Sequence, residues 1–122
     1  MTATRLTGAD CVIEQGTSGI WTWRKWASGI AECWGNYTAS MAVNVSGAAY
    51  GGYRSNEISV NLPSGLFAAW PTTNVTFASS QGIWVNNIAP TNANKVGFYL
   101  SCGMSAAAAN RTVSIQCIGR WK

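Results

Sequence analysis

Side chains able to do covalent or acid–base chemistry are few in this 122-residue chain: one aspartate, three glutamates, four cysteines and no histidine. Without histidine, a Ser-His-Asp triad, a Cys-His pair and an imidazole-based metal centre are all excluded. Glycoside hydrolysis needs only two carboxylates flanking a sugar, and Asp10, Glu14, Glu32 and Glu57 are the residues available for it. Glu32 has a cross-strand partner, described below, and Glu57 stands on the polar side of an alternating strand, so the chain reads as non-enzymatic. Zinc-binding cysteines usually come as close pairs such as C-x-x-C, whereas Cys11, Cys33, Cys102 and Cys117 are spread along the chain. No metal site and no cofactor is expected. Asn-x-Ser/Thr sequons at Asn36, Asn44, Asn74 and Asn110 are what chance gives in a chain rich in Asn and Thr.

Binding is the chemistry that the aromatic residues could supply. The chain holds seven tryptophans and four tyrosines, and an exposed ring offers a flat apolar face to the apolar face of a pyranose. Trp21, Trp23 and Trp34 alternate within a regular hairpin and read as structural or interfacial. Tyr50, Tyr53 and Trp70 fall in irregular segments, with Arg54 beside the tyrosines, and these four are the ligand-binding candidates. The competing reading of Trp70 is a buried plug ahead of Pro71.

These candidates must be positioned by a scaffold, and its centre is the stretch Gly16 to Gly35, GTSGIWTWRKWASGIAECWG. It reads as a β-hairpin over 20–26 and 30–34, with Ala27-Ser28-Gly29 as a three-residue turn and glycine at the position needing positive φ. Pairing Trp26 with Ile30 sets Arg24 opposite Glu32, Thr22 opposite Trp34, Trp23 opposite Cys33 and Lys25 opposite Ala31. A slip by one residue would unpair both charges, so this register is expected. One face then carries Trp21, Trp23, Ala31 and Cys33, and the other carries Trp26, Ile30, Trp34 and the Arg24/Glu32 pair. With large apolar surface on both faces, one is expected against the core and the other under a loop or another chain. Trp21, Trp23, Arg24, Trp26, Glu32 and Trp34 form the hairpin and interface set.

The flanking elements are read as strands too. A strand over 10–15 and a Gly-rich loop over 16–19 precede the hairpin, which would set Cys11 opposite Arg24. After it, 36–45 continues as a strand with a bulge at Gly35, and 46–53 is a loop. Further strands are expected at 54–62, 73–79, 83–88, 95–102 and 111–120, while 104–110, with four consecutive alanines, reads as a loop or one helical turn. About eight or nine strands with short connections and no amphipathic helix indicate an all-β fold, a single antiparallel β-sandwich or jelly-roll-like domain over 10–122 behind a connector at 1–9.

Composition narrows the partners. Charged residues make up 10% of the chain against 48% hydrophobic, which specifies a packed domain with a weakly charged surface. The net charge of +4 comes from scattered residues rather than a basic stripe, so no nucleic-acid partner is expected. The opening MTATRLTGAD lacks the apolar core of a secretory signal, and no apolar run is long enough to insert in a membrane. Cys102 and Cys117 continue the apolar alternation of their strands, and all four cysteines are expected as free thiols.

The motif GTSGIWTWRKWASGIAECWG resembles a signature of bacteriophage and prophage minor structural proteins, in the C-terminal head domains of tail fibres and receptor-binding proteins. The ending Ile118-Gly119-Arg120-Trp121-Lys122 is similar to the way many such chains finish. The two motifs cover about a fifth of the chain, and Trp23 stands where tyrosine is more usual in the family. The resemblance implies a homotrimer in the virion tail, made in the host bacterial cytoplasm, that binds a bacterial surface glycan without cleaving it. A purely structural trimerisation knob is the alternative, and a carbohydrate-active enzyme the third.

Overall fold

The computed structural model describes residues 10–47, 52–78, 82–88 and 93–122. The expected connector at 1–9 lies outside them. Ten strands occur in the order β1 (Val12–Ser18), β2 (Trp21–Trp26), β3 (Ile30–Val43), β4 (Val45–Gly47), β5 (Gly52–Arg54), β6 (Ile58–Asn61), β7 (Thr72–Thr76), β8 (Trp84–Ile88), β9 (Lys95–Cys102) and β10 (Ala106–Arg120). They form two antiparallel sheets, one ordered β1-β2-β3-β10-β7, the other β4-β5-β9-β6 with β8 on β9. The β-sandwich expected from the sequence is the fold observed, with ten strands among the described residues rather than eight or nine.

Alternation explains the core. On β9, Val96, Phe98, Leu100 and Cys102 are buried, and on β10, Val113, Ile115 and Cys117 meet them together with Ala31, Cys33, Met41 and Val43 of β3. Trp21 ties the layers together, because its indole Nε1 donates to the Asn61 carbonyl of the second sheet at 2.7 Å.

The hairpin register is the expected one: Thr22↔Trp34, Trp23↔Cys33, Arg24↔Glu32 and Lys25↔Ala31. Gly29 takes φ of 101° in the turn, where an L side chain would be strained. The preceding strand departs from expectation. It runs on through Gly16 to Ser18, and a two-residue turn at Gly19 and Ile20 sets Gln15, not Cys11, opposite Arg24. Gly16 is a strand residue because Trp23 lies across it; a Cβ there would sit 2.9 Å from the indole.

Gly35 marks no bulge either, since it pairs with Ile115 in unbroken register. Its missing side chain makes room for the turn before β2, whose Ile20 carbonyl would collide with any Cβ at this position. The irregularity lies elsewhere. Between Arg54↔Ser101 and Ile58↔Phe98 the β5–β6 side carries one residue more than β9, so the strand expected over 54–62 is split by a bulge. Ser55 fills the gap: its N–H donates to the Leu100 carbonyl at 2.8 Å, and its hydroxyl accepts from the Leu100 N–H at 2.9 Å. Strand pairing also reaches into the loop expected over 46–53, with Gly47 opposite Gly52.

The alanine run is the clearest correction. Residues 106–110 are strand, not loop or helical turn, with Ala106 opposite Val43 and Ala109 opposite Met41 across a bulge. Pairing along the whole of β3 outweighs the local helical preference of alanine, and Arg111 secures it by donating from Nε to the Met41 carbonyl at 3.0 Å.

Candidate functional site on the outer sheet face

The residues picked out from the sequence do not converge on one place. Tyr50 lies outside the described residues. Tyr53 is half-buried on β5 and packs against the core, and Arg54 donates from Nη1 to the Ser55 carbonyl at 2.8 Å with its guanidinium over Tyr99. Trp70 is 61% exposed, on the connection between β6 and β7. That connection packs against the end of β10 in the first sheet, where Pro71 faces Gly119 and the Ala68 N–H donates to the Arg120 carbonyl. Trp70 is therefore no buried plug, and it is built on a different sheet from Tyr53 and Arg54.

The carboxylates are dispersed as well. Glu32 holds Arg24 at 3.2 Å, and Glu14 holds Lys25 at 3.5 Å. Asp10 accepts from the Ser28 hydroxyl and from the N–H groups of Ser28 and Cys11, which keeps its carboxyl below the usual range. Glu57 sits exposed in the bulge of the second sheet. Cys33 and Cys117 face each other across β3 and β10, both fully buried. The neighbouring Cys117 thiol, and then burial, push the Cys33 thiol well above its usual value. Cys117 also donates to the Thr73 hydroxyl at 3.7 Å.

The hairpin set divides between two environments. Trp21 is in the core and Trp23 is wedged on Gly16. Trp26 meets the C-terminus through its carbonyl, which accepts from the Trp121 indole at 2.8 Å. Arg24, Glu32 and Trp34 stand on the outer face, with the Arg24 guanidinium 4.7 Å from the Trp34 ring centre.

That outer face carries the site, and strand register builds it. Even-numbered residues of β2, β3, β10 and β7 point the same way, and the pairings align them into rows across the sheet. One row is Thr22, Trp34, Gln116 and Asn74; the next is Asn36, Ser114 and Thr76; on the other side run Arg24, Glu32, Ile118 and Thr72. The first two rows, with Ile20 from the turn before β2, line an open groove of about 590 Å³. Within it the Ser114 hydroxyl donates to Asn36 Oδ1 at 2.9 Å, which turns the Nδ2 donor of Asn36 away from Ser114. Trp34 lines the groove, and Arg24, whose guanidinium lies over the same indole, is not among the residues that line it.

Amides and hydroxyls that both donate and accept, set beside an indole, are groups suited to a polyhydroxylated ligand. None of the four carboxylates lines the groove. Sequence reasoning reached Trp34 as an interface residue but missed Asn36, Asn74, Ser114 and Gln116. The polar alternation of 72–76 and 112–118 is the signal for them, and it becomes a site only once the strand order places β7 beside β10 and β10 beside β3.

Neither a protein-family model nor a curated protein sequence matches the chain. Solved structures do. Over 96% of its length the chain superposes on 30% of a Pseudomonas aeruginosa R1 pyocin fibre comprising C-terminal residues 323–701, with a TM-score of 0.58 and 13% identity. Over 97% of its length it superposes on 41% of an N-truncated R2-type pyocin tail fibre, with a TM-score of 0.52 and 13% identity. The chain thus spans less than half of either fibre and shares with both the fold of one of their parts.

Proposed function

We propose that this chain is the head domain of a phage or phage-like tail fibre and that it binds a bacterial surface glycan without cleaving it. The observation that carries this reading is the alignment of Trp34, Gln116, Asn74 and Asn36 along one open groove on the outer face of the first sheet. The fold shared with two pyocin fibres and the resemblance of the hairpin and the C-terminus to fibre heads support it. On this reading the chain works in a virion tail, as a homotrimer, and adsorption is its role. Trp70, with its exposed ring, is a second candidate contact. Binding of the purified chain to bacterial envelope polysaccharide is the test: Trp34→Ala should abolish it while leaving the molecular mass of the assembly unchanged.

A second reading has its own observation. Ile118 is 45% exposed on the same face, two residues from Gln116, so the face could instead pack against another copy in a purely structural knob. In that case Trp34→Ala would lower the assembly mass in light scattering, and envelope binding by the unaltered chain would be absent.

A further inference from the structure

Among the described residues that line the groove none has an ionisable side chain, although the chain carries eight cationic residues and a net charge of +4. Arg24, which the register sets one row away, is held by Glu32 at 3.2 Å and lies over the Trp34 indole, 4.7 Å from the ring centre. Trp34 thus borders both an ion pair that is already satisfied and a set of amides and hydroxyls. We infer, resting on the reading of this face as a glycan site, that the groove selects uncharged glycans over those bearing uronate or phosphodiester groups.

The physical reason is desolvation without return. An anionic group entering the groove leaves water and meets no free cation among the described residues that line it, since the nearby guanidinium is already neutralised by Glu32. Sugar hydroxyls lose their water too, but Asn36, Asn74, Gln116, Ser114 and Thr22 replace those bonds with donors and acceptors of the same kind. A site built this way also discriminates against ligands that leave its polar groups unpaired. The described cationic residues lie outside the groove lining, so they attract anionic polymers only weakly and in a salt-dependent way.

An array of uncharged oligosaccharides of hexoses, deoxyhexoses and N-acetylhexosamines, printed beside uronate- and phosphodiester-containing ones, tests the inference with the whole chain at low and high salt. Expected is capture on uncharged spots, insensitive to salt and weakened about tenfold by Asn36→Ala and by Gln116→Ala. Gln116→Lys should gain capture on anionic spots, a readout that a merely destabilised variant would not show. Anionic glycans captured by the unaltered chain and lost in both alanine variants would overturn the charge selection and leave the groove standing as a glycan site. Capture equal in the unaltered chain and both alanine variants, or no capture on any spot, would overturn the groove reading and the inference with it.

Discussion

The two faces of the sheet β1-β2-β3-β10-β7 obey different rules. Its inner face is a set of odd-numbered residues, Ala31, Cys33, Val75, Val113, Ile115 and Cys117, all buried and individually replaceable only at a cost in packing. Its outer face is the even-numbered set between them, where Trp34, Asn36, Asn74, Ser114 and Gln116 are exposed or half-exposed and are brought together only by register. The inner face makes the fold and the outer face is free to carry function. Adjacent residues of one strand therefore answer to different pressures.

Ile115 and Gln116 put the sharpest strain on this contrast. Ile115→Ala removes a fully buried side chain at the centre of β10 and should lower unfolding free energy by about 2–5 kcal/mol in denaturant titration. Gln116→Ala should shift stability by under ~0.5 kcal/mol while weakening glycan capture. Equal destabilisation by the two would erase the distinction between the faces.

Gly35 couples the faces, because the turn before β2 closes against its backbone. Gly35→Ala should cost about 1–3 kcal/mol, the usual range for overpacking, and should displace Ile20, which lines the groove, so binding should suffer as well. Cysteine reactivity separates inner from outer surface without any mutation. Cys11 is exposed and should be alkylated at once by iodoacetamide, whereas Cys33, Cys102 and Cys117 should react only after denaturation. Rapid labelling of all four in the folded chain would mean that the sheets part readily.

Smaller effects are expected from the charges. Arg24→Ala removes a half-exposed ion pair and a cation–π contact and should cost about 1 kcal/mol or less. The Asp10 carboxylate is favoured in the folded chain by hydrogen bonds from Ser28 and Cys11, so its folded pKa lies below its unfolded one. Its contribution is then present above the unfolded value and is lost as the pH falls through the folded one. Asp10→Asn should remove that acid-side dependence, seen as a flatter thermal midpoint between pH 5 and pH 2.

Much of the inner face was legible in the sequence, because burial on one side writes a period of two into each strand. The hairpin register followed from one charge pair and one glycine turn, both local features. Gly16 and Gly35 were misread as loop and bulge, since a glycine that makes room for Trp23 or for the Ile20 carbonyl looks the same as one that bends the chain. The alanines of β10 misled for the opposite reason: their local preference is helical, and only the long partner strand β3 overrides it. The candidate groove lay furthest from view. Asn36, Asn74 and Gln116 come from three strands far apart in sequence, and neighbourhood across a sheet is set by strand order, which no single strand records.

Nuclear magnetic resonance offers the most direct test of the central claim, because side-chain amides and indole N–H groups are observed individually. The isotope-labelled chain would be titrated with the uncharged oligosaccharide that the array selects. Shifts concentrated on the Asn36, Asn74 and Gln116 amides and the Trp34 indole are the predicted result. Shifts confined to Trp70, Tyr53 and Arg54, with the outer sheet face unmoved, would contradict it.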